Sequence, residues 1–168
     1  MNTPMFSLNQ IMEEYKNNIP VPILEIAQKL NLKVFNTNSL KEKESGLIRI
    51  ENDAYVIYVN ESHSSKRKRF TIAHEIIHFL LHKDFIDESY ITPSKQPIMS
   101  AENITLTADE QQREVEANKF AAKLLMPEEQ FKKVWMESDS IEAVSNAFQV
   151  SVSAAAIRGD KLLDQIML

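Results

Sequence analysis

Apolar residues recur along this chain at two spacings, and the changes of spacing mark out its elements. Leu8, Ile11, Met12 and Tyr15 recur every three or four positions, one stripe of a helix over Ser7 to Asn17. Ser7 and Gln10 stand in the N-cap and N3 places of a capping box. Pro20 and Pro22 then interrupt the pattern, and Pro22 suits the first turn of a second helix running to about Leu30. Ile23, Ile26, Ala27 and Leu30 form its inward stripe. A strand is expected over Leu32 to Phe35, followed by a polar loop from Asn36 to Ser45. From Gly46 to Asn60 the period shortens to two: Leu47, Ile48 and Ile50 lead to Asn52-Asp53, and Tyr55, Ile57 and Val59 alternate with Val56 and Tyr58. Aromatic and β-branched residues on both sides of an Asn-Asp turn predict a β-hairpin.

Ser62 to Ser65 open the next helix, expected over Lys66 to His82. At 100° per residue, with His74 as zero, His78 falls at roughly 40°, Thr71 at roughly 60°, His82 at roughly 80° and Glu75 at roughly 100°. Phe70, Ile72, Ala73, Ile76, Ile77, Phe79, Leu80 and Leu81 fill the other directions. A helix apolar nearly all round is buried, and this one keeps a single polar sector. Lys83 to Leu106 is irregular and long for a loop, so a short strand near Ile98 or Ile104, or a lid, is expected there. Thr107 to Met126 is a strong helix opened by a second capping box, Thr107 with Glu110, and Pro127 ends it. A short helix follows through Trp135, and then a helix pair, Ser140 to Phe148 and Ser151 to Leu163, turns at Gln149-Val150. The class is α+β: a small antiparallel sheet and a buried helix in residues 1–136, with a helical, helix-turn-helix-like unit in 137–168 packed on them.

Composition narrows the chemistry. With no cysteine among 168 residues, disulfides and cysteine metal sites are excluded. Met1 to Ile11 has polar residues interspersed throughout and lacks the apolar core of a signal peptide, and no apolar run is long enough to span a bilayer. A cytoplasmic protein with no membrane partner is expected. The net charge of −5 argues against a nucleic-acid binder driven by overall charge.

The polar sector of the buried helix reads His74-Glu75-Ile76-Ile77-His78. Two imidazoles one turn apart on one face can reach the same tetrahedral zinc ion, and the Glu between them can serve as general base on water. A catalytic zinc site needs about three protein ligands. His82 lies roughly 12 Å along the axis from His74 and cannot close the same site, so a carboxylate from another helix is expected. The helix after Thr107 offers Glu110, Glu114 and Glu116. Glu114 shares a face with Asn118, Ala121 and Leu125, whereas Glu116 lies with Gln112, Lys119 and Lys123, and Glu110 has a capping role. Glu114 is therefore favoured, with Glu110 and Glu116 as alternatives. Asn118, one turn on, is placed to hydrogen-bond a ligating histidine.

Arg69 to His78, together with Glu114 to Ala122 and Leu124-Leu125-Met126-Pro127, resembles the ImmA/IrrE metallopeptidases over most of the chain. Ile76-Ile77 departs from the small residue or glycine that family often carries there. The resemblance implies a zincin-like fold, with zinc on His74, His78 and Glu114 and with Glu75 as base. It also implies site-specific cleavage of helix-turn-helix transcriptional repressors, which derepresses mobile elements or stress genes. Two other readings stand beside it: a regulator that binds a repressor without cutting it, and a DNA-binding regulator acting through the C-terminal helices. The second is disfavoured by the few outward cations expected there, Arg158 and Lys161 against Asp160 and Asp164.

Several residues stay outside this scheme. Lys66-Arg67-Lys68-Arg69 reads as a solvated helix start, and His82 as a polar helix end. Tyr58, His63 and Tyr90 are candidates to assist at the scissile carbonyl. An extended substrate is expected to pair with the Tyr55 to Val59 strand if that strand is an edge. The oligomeric state leaves no mark in the sequence.

Overall fold

The computed structural model describes residues 6–86 and 106–166, the last four by backbone alone. Two short helices, α1 (Leu8–Tyr15) and α2 (Ile23–Lys29), precede three strands, β1 (Lys33–Thr37), β2 (Gly46–Glu51) and β3 (Ala54–Asn60). The long helix α3 (Ser65–Leu81) runs into a 3-10 turn over Lys83–Phe85. Then come α4 (Ala108–Leu125), α5 (Glu128–Glu137), α6 (Ile141–Phe148) and α7 (Val152–Ile166). The expected strand or lid between Lys83 and Leu106 lies, beyond Ile86, outside the described residues, as does Tyr90.

Local signals act where the sequence places them. Both capping boxes form, Ser7 with Gln10 and Thr107 with Glu110, each satisfying helix-start N–H groups that have no partner inside the helix. Pro22 sits at the N-cap of α2 rather than inside its first turn. Asn52 and Asp53 both take positive φ, 48° and 62°, as a tight hairpin turn requires. Gln149 takes the left-handed conformation (φ 54°) that ends α6 and starts the turn to α7.

The sheet differs from the expected antiparallel one. Its order is β1-β3-β2, with β2 antiparallel to β3 and β1 parallel to it. The hairpin is local, but its second strand is inserted between β2 and β1. β3 carries Val56, Ile57 and Val59, all buried, so the most apolar strand takes the centre, where both its edges are paired. The expected pairing of substrate with β3 is therefore ruled out, because its N–H and C=O groups are used by neighbouring strands on both sides.

α3 packs on the sheet on one side and along α4 on the other. Thr71 to His78, eight consecutive residues, are all buried. Gly46 permits the contact with the sheet: a Cβ there would lie 2.4 Å from the Thr71 methyl group and 2.6 Å from the Tyr58 carbonyl oxygen. The core is continuous from α1 through α3 and α4 to Phe131, Phe148, Val150 and Ala155. Phe131 stacks on Trp135 and meets Phe148, each pair with ring centroids 5.5 Å apart.

The basic run at the start of α3 is not simply solvated. Lys66 Nζ donates to Ser145 Oγ (2.9 Å) and Asn146 Oδ1 (2.7 Å) on α6, Arg67 donates to Ser45 Oγ, and Arg69 donates to the Val21 carbonyl (2.8 Å). These side chains tie α3 to three other parts of the chain, which is the use the sequence left unassigned. Arg158, expected to face outward, is buried, and its Nε donates to the Met126 carbonyl at the end of α4 (3.3 Å).

Candidate metal centre

The site lies between α3 and α4. His74 and His78 are one turn apart on α3, both buried, with Nε2 atoms 2.9 Å apart. Glu114 comes from α4, where Ala117, Ala121, Leu124 and Leu125 form the buried stripe. Alanines at 117 and 121 let the two helices approach closely, so a carboxylate on the first half of α4 can span both imidazoles. Glu114 Oε2 is 3.1 Å from His74 Nε2, and Oε1 is 3.1 Å from His78 Nε2. Among the described residues this is the one cluster of three or more such side chains that could hold a metal ion.

The donors fit a zinc-sized ion. Ligands about 2.0–2.1 Å from a tetrahedral zinc are separated from one another by about 3.3 Å. The three spacings here, 2.9, 3.1 and 3.1 Å, are within a few tenths of that edge. Two nitrogens and one carboxylate, with no sulfur, form a donor set suited to zinc among other divalent ions. The neighbours also orient the rings. Asn118 Oδ1 is 3.0 Å from His74 Nδ1. An amide oxygen only accepts, so Nδ1 carries a proton and Nε2 is the nitrogen turned toward the cluster.

The charges are strongly coupled. Burial acts to raise the Glu114 pKa, but hydrogen bonds and charge from His74 and His78 outweigh it and pull the carboxyl down to about 2. Burial pushes the His78 imidazole down to about 4, with the charges of His74 and His82 adding to that and Glu114 opposing it. Burial also works against a charged His74. Its Glu114 hydrogen bond, the charges of Glu75 and Glu114, and Asn118 together hold it above the ordinary histidine value. The site thus keeps an ionised carboxylate beside one imidazole that resists protonation, as a cation site requires.

Glu75, next to His74 on α3, is fully buried. Its charge is among the influences that raise the His74 pKa, so it lies within electrostatic reach of that imidazole. Glu110 is held by its capping interaction with Thr107 (2.7 and 2.9 Å) and is not part of the cluster. Glu116 does not join it either, but its carboxylate lies 2.9 Å from His82 Nε2, and His82 Nδ1 lies 3.1 Å from His78 Nδ1. His82 is the polar C-cap of α3, but a buried one: it is 6% exposed and touches a member of the cluster. The signal was in the sequence, since His78 and His82 repeat the four-residue spacing of His74 and His78. The candidates to assist at a carbonyl are engaged elsewhere: Tyr58 donates to Glu51 (3.0 and 3.2 Å), and His63 Nε2 lies 3.0 Å from the Glu42 carbonyl oxygen.

No helix among the described residues is long and apolar enough to cross a membrane. No curated protein matches the chain. In fold it is similar to a Mycobacterium tuberculosis transcriptional regulator, with a TM-score of 0.56 at 17% identity. That match covers 88% of this chain and 44% of the regulator, so the chain spans less than half of the regulator's length. A peptidase family described as the IrrE N-terminal-like domain matches residues 27–159, a range that begins in α2 and ends in α7, with all of the α3–α4 cluster inside it. Two imidazoles and a carboxylate converging between two helices, within that match, place the chain in this peptidase family.

Proposed function

We propose that the protein is a zinc-dependent endopeptidase, with His74, His78 and Glu114 holding the metal and Glu75 acting as general base. The observation that carries this is the convergence of the three donors beside a buried glutamate on the same helix. A divalent metal bound there supplies a Lewis acid that acidifies water and polarises a peptide carbonyl. Glu75 does the proton chemistry: its carboxylate accepts the proton of the attacking water and then delivers it to the nitrogen of the leaving amine. Asn118 holds His74 in the orientation that ligation needs. Burial of both imidazoles lowers the local dielectric, so their electrostatic interactions with the Glu114 carboxylate are strong.

The substrate class rests on the resemblance and on the fold match. The similar structure is a transcriptional regulator, which favours a role in transcription control, and the resemblance points to a helix-turn-helix repressor as the protein that is cut. A role as direct DNA binder through α6 and α7 is weakened by the burial of Arg158, which leaves Lys161 beside Asp160 among the charges considered there. The test is co-expression with a panel of helix-turn-helix repressors. Intact repressor is expected to disappear with the parent protein and to persist with Glu75→Gln, which should still bind zinc. Cleavage that continues undiminished in Glu75→Gln contradicts the mechanism. Repressor inhibited but left intact by both proteins points to the binding-only reading.

A further inference from the structure

Beyond the cluster, a second line of polar side chains runs away from it: His78, His82 and Glu116. It joins the end of α3 to α4 on the side opposite the His78 nitrogen that faces Glu114. We propose that His82 and Glu116 are positioning residues that set which nitrogen of His78 is presented to a metal. The inference rests on the metal-site reading above.

The direction of each bond follows from what each atom can do. A carboxylate only accepts, so the 2.9 Å contact with Glu116 assigns the proton of that bond to His82 Nε2. A neutral imidazole with a proton on Nε2 has a lone pair on Nδ1. That lone pair faces His78 Nδ1 at 3.1 Å, so His78 Nδ1 is the donor. With a metal bound, His78 Nε2 would then carry no proton, leaving its lone pair for ligation at the place where His74 Nε2 and Glu114 converge. Reversing any bond of the line would put a proton on His78 Nε2, where it blocks ligation. The two ligating histidines thus have different anchors. Asn118 fixes His74 directly. His78 is fixed through another imidazole by a carboxylate, a longer version of the carboxylate–histidine arrangement that supports metal ligands.

The line is built to hold. His82 is buried, its backbone N–H caps α3 by donating to the His78 carbonyl (2.8 Å), and its ring lies 5.1 Å from the His78 ring. Glu116, whose side chain is 41% exposed, is the solvent end. A His82 that merely filled space and closed the helix would be replaced well by leucine. A His82 that accepts a proton from His78 would be replaced better by asparagine, whose amide oxygen can occupy the acceptor place.

The test uses the full chain with zinc as ligand and a competing chelator to read affinity, alongside circular dichroism and melting of the zinc-free forms. His82→Leu is expected to weaken zinc binding on the order of ten- to a hundred-fold, and His82→Asn to recover most of that loss. Glu116→Ala is expected to weaken binding several-fold in the parent and to have no further effect in His82→Leu, because it acts only through His82. Nitrogen-15 spectra of the zinc-loaded parent should show His82 protonated at Nε2 and His78 protonated at Nδ1. Folded His82→Leu with parental zinc affinity overturns the proposal. So does His82→Asn as weak as His82→Leu, or a spectrum with the proton of His82 on Nδ1. If His82→Leu fails to fold, the spectrum and the Glu116→Ala measurement still decide. A parent that takes up no zinc removes the metal reading and the positioning role together. A parent that binds zinc while the variants match it removes the positioning role alone.

Discussion

Asn118 shows how one atom can decide what a residue on another helix is able to do. Its amide oxygen turns His74 Nε2 toward Glu114, so Asn118→Leu should lower zinc affinity on the order of ten- to a hundred-fold with little change in zinc-free melting. Competition with a chelator measures this, and unchanged affinity would remove Asn118 from the site. Away from the cluster, Tyr15 couples stability to alkali. Burial, and then the hydrogen bond and charge of Glu25, raise its pKa from 10.0 to about 12. Because the folded value lies above the unfolded one, its contribution to stability is intact below pH 10 and is lost as pH rises through about 12. Denaturation midpoints should therefore fall between pH 10 and 12, and Tyr15→Phe should flatten that fall; an equal slope in both proteins would contradict it. At this scale the sequence was readable where one helix carried the whole pattern. The choice of Glu114 over Glu116 followed from the alanines and leucines on its face. The contact of His82 with His78 was signalled by their four-residue spacing, but its contact with Glu116 was not, because Glu116 is 34 residues away on another helix.

Among elements, α7 meets α5 at a close contact. Gly159 lies against Trp135, and a Cβ there would sit 2.5 Å and 2.7 Å from two atoms of the indole. Alanine is the better helix former by about 1 kcal/mol, so propensity alone makes Gly159→Ala stabilising. The contact reverses the sign: a net loss of about 1–3 kcal/mol is expected. In a Trp135→Leu background the same substitution should become neutral or stabilising, and denaturant unfolding of the four proteins measures it. A loss of the same size in both backgrounds would assign the effect to something other than the indole. Helix starts and the hairpin turn were legible because their signals lie within four residues, as with Thr107 and Glu110 or Asn52 and Asp53. The strand order was not. The parallel pairing of β1 with β3 joins segments on either side of β2, and alternation of apolar residues specifies a strand without naming its neighbour. The links from Lys66, Arg67 and Arg69 were hidden for the same reason, since their partners are 79, 22 and 48 residues away.

At the scale of the molecule, the fold brings one buried helix against a sheet on one side and a helix with small residues on the other. The sheet approaches at Gly46, α4 approaches through Ala117 and Ala121, and the polar sector of α3 faces the space left between the helices. The chain has two glycines, and both lie at close contacts rather than at turns, so among the described residues positive φ falls to Asn31, Asn52, Asp53 and Gln149 instead. This economy makes the α3–α4 contact the feature on which the chemistry depends: moving α4 by even one residue of register would take Glu114 away from both imidazoles. The most direct measurement is the metal content of the purified chain after zinc loading and dialysis, set beside His78→Ala and Glu114→Ala. One zinc per parent chain, and near-complete loss in both variants with circular dichroism unchanged, is the expected result. A parent chain without zinc, or a Glu114→Ala variant that keeps a full equivalent at parental affinity, would contradict it.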